Sequence, residues 1–135
     1  MSTVIVNTLT GTSTAGSIAV TGEGNSTTTN LQQGLAKAWG VFNGTGTIAI
    51  RDSHNFSSIA DTASGRITAS INSDMASANY SISAQSSLND TVGDSRTYNT
   101  ELSSRAAGSY EMATYSTSDY EDHAWVDTSV HGDLA

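Results

Sequence analysis

The sequence predicts a mainly β protein: an extended N-terminal arm, one short helix, and an antiparallel β-sandwich knob. Three observations lead there. Ser and Thr together supply 41 of the 135 residues and Gly another 12, with neither Pro nor Cys. Thr, Val, Ile and Tyr suit a pleated, half-buried surface. Past residue 40 apolar and polar side chains alternate, with turn residues at intervals of roughly 8–12, as in sandwiches and small barrels. Charged residues are only 13% of the chain, against about 25% in an average globular domain. Such a composition also suits a disordered chain, but a hydrophobic share of 36% in patterned runs favours a core.

Residues 1–30 read as a thread-like arm. Val4, Ile5 and Val6 form one short β run, Ile18 and Val20 belong to a second, and Gly22-Glu23-Gly24-Asn25 marks a turn. The arm has too few large side chains for a core of its own. Ordering it alone costs about 1–2 kcal/mol of backbone entropy per residue with little burial in return. It becomes sensible when wound with copies of itself or laid on another protein. A helix is expected next, over residues 31–40. Asn30 is a good N-cap, and Leu31, Leu35, Ala38 and Trp39 fall at i, i+4, i+7 and i+8, one helical face. Gly34 weakens such a helix by about 1 kcal/mol relative to Ala, and Gly40 suits its C-terminal end. So short a helix must pack on a neighbour. Leu31, Leu35, Ala38 and Trp39, with Phe42 just beyond, are therefore the candidates for packing between subunits.

The knob spans residues 41–135. Strands are expected near residues 47–51, 53–59, 66–72, 78–84, 106–116 and 123–130. Ile48 with Ile50, Ile67 with Ala69 and Ile71, Tyr80 with Ile82, and Tyr110 with Met112 and Thr114 fall on inward positions. Residues 61–65 and 73–77 read as loops. Residues 85–104 are polar and poorly patterned, a loop of the length that is functional or mobile in compact domains. Residues 131–135 read as a tail.

Charge excludes several classes of function. The net charge is −8; residues 90–135 carry nine acids against Arg96 and Arg105. Such a surface repels phosphates, so no nucleic-acid partner is expected. No apolar run approaches the ~18 residues of a membrane span, and Met1-Ser2-Thr3 lacks a signal peptide's basic and apolar regions. Assembly in a cytoplasm without membrane insertion is the expectation. Absence of Cys removes disulfides and thiolate metal sites together; a small domain without such staples points to surface buried between subunits.

Two motifs add a resemblance. Gly34-Leu35-Ala36-Lys37-Ala38-Trp39 and Phe42-Asn43-Gly44-Thr45-Gly46-Thr47, continued by Asn55-Phe56-Ser57-Ser58-Ile59, the loop at residues 61–65 and the stretch 75–80, resemble a module common in tail-fibre and other structural proteins of marine phages. The repeat-like stretch of residues 7–22 is similar to the shaft that precedes it. The resemblance covers roughly residues 4–84. It implies a homotrimer on the virion surface, assembled in the host cytoplasm. It also implies a short tail fibre or receptor-binding knob attached to another virion protein through the arm residues Val4, Ile5, Val6, Ile18 and Val20. Fibres of this kind are much longer, which brings in the alternative of a capsid decoration protein or head fibre on the major capsid protein. The family offers no catalytic residues to transfer.

The side-chain chemistry agrees with a non-enzyme. No Gly-x-Ser-x-Gly elbow accompanies the many serines. His54, His123 and His131 sit among polar neighbours and read as surface residues. Asp119, Glu121, Asp122 and Asp127 are too crowded for a glycosidase pair and lack calcium-loop spacing, so neither cofactor nor metal is expected. The aromatic cluster of the last quarter is the sharper signal. Tyr110 and Trp125 are expected in the core. Tyr115 and Tyr120, with Asp122 and His123, are candidates for contact with a host glycan or protein, since amphipathic rings beside small polar groups stack on such surfaces.

Overall fold

The computed structural model describes residues 3–11, 18–22, 27–88, 100–115 and 119–135. The described chain is mainly β, with antiparallel sheets and one short helix. It divides into two units, Met1–Leu35 and Ala36–Ala135.

In the first unit, β1 (Ala19–Thr21) pairs antiparallel with β2 (Thr28–Asn30), Val20 opposite Thr29. A single helical turn, α1 (Leu31–Gly34), follows, its Gln33 N–H donating to Asn30 Oδ1 at 3.2 Å. Leu31 N–H donates to Ile18 O at 2.8 Å. Residues 3–11 form no regular element, and no described residue of this unit is buried. The turn expected at residues 22–25 lies, beyond Gly22, outside the described residues.

The helix expected over residues 31–40 stops at Gly34, and β3 (Ala38–Asn43) begins four residues later. The helical spacing of Leu31, Leu35, Ala38 and Trp39 is overridden by a period-two pattern. Ala38, Gly40 and Phe42 point to the core, and Trp39 and Val41 to the other face. Gly34 and Gly40 both favour this outcome, because Gly is a poor helix former.

Among its described residues the second unit holds two four-stranded antiparallel sheets. Its other strands are β4 (Ala49–His54), β5 (Phe56–Ala63), β6 (Arg66–Ile71), β7 (Ser81–Ser87), β8 (Thr100–Ala106), β9 (Ser109–Thr114) and β10 (Trp125–His131). One sheet runs β4-β3-β10-β7 and the other β5-β6-β9-β8. Their inner faces share one core of Ala38, Phe42, Val126 and Val130 with Ile67, Ala69, Ile71, Tyr110 and Met112, completed by Met75 and Tyr80. Phe42 meets Phe56 edge to face at 5.4 Å, and Phe56 meets Tyr110 at 6.0 Å. Gly40 makes this possible. A Cβ there would lie 2.5 Å from the Phe42 ring, which folds back over the glycine. Burying each such aromatic ring contributes about 1.5–3 kcal/mol. Tyr110 brings a hydroxyl into the core and satisfies it across the sheets, 2.8 Å from Thr128 Oγ1. Burial pushes its phenol well above the ordinary range.

The inward sets Ile67/Ala69/Ile71, Tyr80/Ile82 and Tyr110/Met112/Thr114 agree with the sequence pattern. The strand bounds around them shift. Instead of 47–51 and 53–59, the chain makes β4 and β5 around a single corner residue, Asn55, at φ 60°. Asn tolerates this left-handed conformation, and here its side chain also fastens the corner. Asn55 Nδ2 donates to Lys37 O at 3.0 Å and Ser73 O at 3.2 Å, while Oδ1 accepts from Ser73 N–H at 2.8 Å. β5 then runs through the loop expected at 61–65, leaving a two-residue turn at Ser64-Gly65. Gly65 has φ +65°, and a Cβ there would meet Glu121 N at 2.6 Å and Thr114 O at 2.7 Å.

The loop expected over 85–104 is shorter at both ends: residues 85–87 belong to β7, and residues 100–104 belong to β8. Its centre, residues 89–99, lies outside the described residues. The expected tail is also fastened. Ala76 N–H donates to Asp133 O at 2.8 Å and Ala135 N–H to Asp74 O at 2.9 Å.

Candidate functional site

The alternation that sends Val126, Thr128 and Val130 into the core sends Trp125, Asp127 and Ser129 to the opposite face of the first sheet. Strand register then lines the outer face in rows. Trp39 on β3 stands opposite Ser129 on β10, which stands opposite Ser83 on β7. In the next row Val41, Asp127 and Gln85 stand side by side, with Asp52 on β4 beyond Val41. Each row therefore carries an apolar side chain on β3 with small or polar ones on β10 and β7, and His54 or Asp52 of β4 on its other side. Trp39, 38% exposed, lines one side of this face beside Ser129 and Ser83. The result is an open groove of about 300 Å³, lined by residues 39–41, 83–85 and 127–129.

One pair of groove side chains makes a long contact: Gln85 Nε2 lies 3.4 Å from Asp127 Oδ2. The other indole of this face is covered. The Arg51 guanidinium sits 3.9 Å above the Trp125 ring and donates to Ala124 O at 3.1 Å. Trp125 is thus a half-buried outer-face residue and not the core residue expected from sequence. Its ring is capped by a cation, whereas that of Trp39 is open.

The residues named from sequence divide between both units. Ala38 and Phe42 are fully buried within this chain's own core, so neither is available for packing between subunits. Leu35 and Trp39 are exposed and Leu31 half-buried, but Trp39 stands on a strand and not on one helical face with the leucines. In the arm, Val4, Ile5, Val6 and Val20 are exposed and Ile18 half-buried. Tyr115 and Tyr120 do come together, ring centres 4.3 Å apart. Arg66 lies 4.6 Å from the Tyr120 ring centre, and its Nη2 donates to Tyr120 Oη at 2.8 Å. Glu111, whose carboxyl is held below the ordinary range chiefly by a hydrogen bond from Ser103, receives the other Arg66 nitrogen at 2.8 Å.

Asp122 and His123 need correction as surface-contact residues. Asp122 is half-buried and accepts the Gly65 N–H at 2.6 Å, a turn-fixing role. His123 is fully buried, its Nδ1 2.9 Å from Ser86 Oγ. Burial pushes the imidazole's affinity for a proton down, and the nearby Glu121 and Asp122 charges pull part of the way back. Among the described residues, no three His, Asp or Glu side chains group as metal ligands do.

The groove arrangement offers one open aromatic face beside hydroxyls, an amide and a carboxylate. It can stack a flat apolar surface and hydrogen-bond polar groups around it. Compared with known proteins, the chain matches no family model, no curated protein and no solved structure.

Proposed function

We propose that this chain is a non-enzymatic virion structural protein: a short fibre or receptor-binding knob on a phage particle, assembled as a homotrimer. In this reading Ala36–Ala135 is a β-sandwich knob, and the N-terminal unit is the part that other chains complete. One observation carries it. The N-terminal unit exposes Val4 (83%), Ile5 (89%) and Leu9 (61%) along with Val6, Val20 and Leu35. Apolar side chains in such a series mark a surface for another protein. Leu31 and Leu35 are the contacts between copies, and Val4, Ile5 and Val6 the contacts with the attachment partner. The Tyr115–Tyr120 pair remains a candidate for host contact.

A second reading is a capsid decoration protein. It is favoured by Val4-Ile5-Val6, a run of β formers that takes part in no strand. Such a run can extend an exposed sheet edge of a capsid protein by strand addition. The experiment for both is antibody labelling of intact particles under electron imaging. Label at the tail supports the fibre and label over the head supports the decoration protein; unlabelled particles that lack the chain remove both.

A further inference from the structure

We propose that the groove on the outer face of β3, β10 and β7 is a binding site for an uncharged glycan, with Trp39 as the stacking platform. This deepens the attachment reading, on which its biological meaning rests, and it places recognition on a face that the tyrosine pair does not touch.

The register supplies the first reason. A bulky indole faces two serines across neighbouring strands, Trp39 to Ser129 to Ser83. A pyranose presents an apolar C–H face that lies against an indole and a rim of hydroxyls that need partners. Ser129, Ser83, Gln85 and Asp127 line the same groove with both donors and acceptors.

Size supplies the second. The groove spans three strands and three residues along each, about 10 Å by 7 Å between Cα positions at the usual strand spacing and rise. A stable protein partner needs about 800 Å² from each side, more than ten times that footprint. The volume of about 300 Å³ is at the small end of ligand sites, which run from roughly 300 to 1,000 Å³.

Charge supplies the third. Asp127 lies in the groove and Asp52 stands in the same row beyond Val41, within a chain of net charge −8. On this face the Arg51 guanidinium lies over the Trp125 ring and donates to Ala124 O, and His54 stands opposite Trp39 on β4. Sulfated or sialylated glycans would be repelled, whereas a neutral sugar uses the same carboxylates as hydrogen-bond acceptors. Three copies of such a small site on one assembly would gain avidity.

The test applies the full-length chain to an array carrying neutral oligosaccharides (gluco-, galacto-, manno- and N-acetylglucosamine types) beside sulfated and sialylated ones. Binding to one or more neutral glycans is expected. Trp39→Ala should weaken it at least tenfold. Ser83→Trp, which fills the groove while leaving Trp39 in place, should do the same with an unchanged melting temperature. Asp61→Asn, a change at an exposed position of β5 in the other sheet, should leave it intact. Binding to no neutral glycan, binding only to acidic ones, or binding that survives both groove variants overturns the proposal. So does loss of the assembled mass in Trp39→Ala without glycan binding by the unaltered chain, which would make the face a contact between copies. A chain that labels particles but ignores neutral glycans sinks this inference alone. A chain that binds them but is absent from particles sinks the virion assignment alone.

Discussion

The two units of this chain use the same alphabet to opposite ends. Both are rich in Ser, Thr and Gly, yet Ala36–Ala135 buries Phe42, Tyr110, Met75 and Met112 completely, while no described residue of Met1–Leu35 is buried. What differs is the spacing of large side chains. In the second unit a buried residue, apolar but for Thr114 and Thr128, returns at every other position of β6, β9 and β10, so each strand contributes to one core. In the first, Val4, Ile5 and Val6 are consecutive and Leu9, Val20 and Leu35 isolated. Such residues are left exposed unless another chain covers them. A composition is thus compatible with either outcome, and the periodicity decides.

Substitutions can sharpen that contrast. The largest expected effect is Phe42→Ala, which removes a fully buried ring and should destabilise the second unit by about 3–5 kcal/mol. Ile5→Ala, also a large-to-small change, should alter the same thermal or denaturant unfolding transition by less than about 0.5 kcal/mol. Equal effects would erase the distinction between the units. Next is the corner between β4 and β5. Asn55→Ala forfeits three side-chain hydrogen bonds and strains a left-handed backbone, an expected loss of about 2–4 kcal/mol. Asn55→Gly keeps the backbone at ease and should lose less. An unchanged melting temperature in both variants would show that the corner does not hold the sheets.

A smaller effect concerns pH. Because burial lowers the proton affinity of His123 in the folded chain, the unfolded chain takes up its proton first as pH falls. Its contribution is fully favourable above the unfolded value of about 6.5 and is lost as pH falls from there through the depressed folded value. Denaturant titrations should therefore show stability declining below pH ~6.5, and His123→Gln should flatten that slope. An identical slope in the variant would assign the decline to carboxylates.

Much of the second unit is legible residue by residue. Ile67, Ala69 and Ile71 announce β6 because strict alternation has few other uses. Tyr110 and Met112 announce β9 in the same way. β8 is not legible: Leu102 is the half-buried apolar residue packed on the core, and Ser103 and Ser104 read as loop. The helix beyond Gly34 was a coincidence of spacing, since adjacent Ala38 and Trp39 share a helical stripe but point to opposite faces of a strand. His123 carried no local sign of burial. Its surroundings in sequence are acidic, and what encloses it comes from residues such as Ser86, 37 positions away. The groove was hidden for the same reason. Trp39, Ser129 and Ser83 become neighbours only through the registers of three strands, and single-strand patterns do not encode those.

The claim beneath both the arm and the assembly is that residues 1–35 must be covered by other chains. Light scattering of the purified chain tests it most directly. A mass near three times 14.0 kDa, falling to a single folded copy when residues 1–35 are removed, is the predicted result. A full-length chain that stays at 14.0 kDa across concentrations, with Ile5 and Leu35 solvent-exposed and no virion protein binding them, would contradict it.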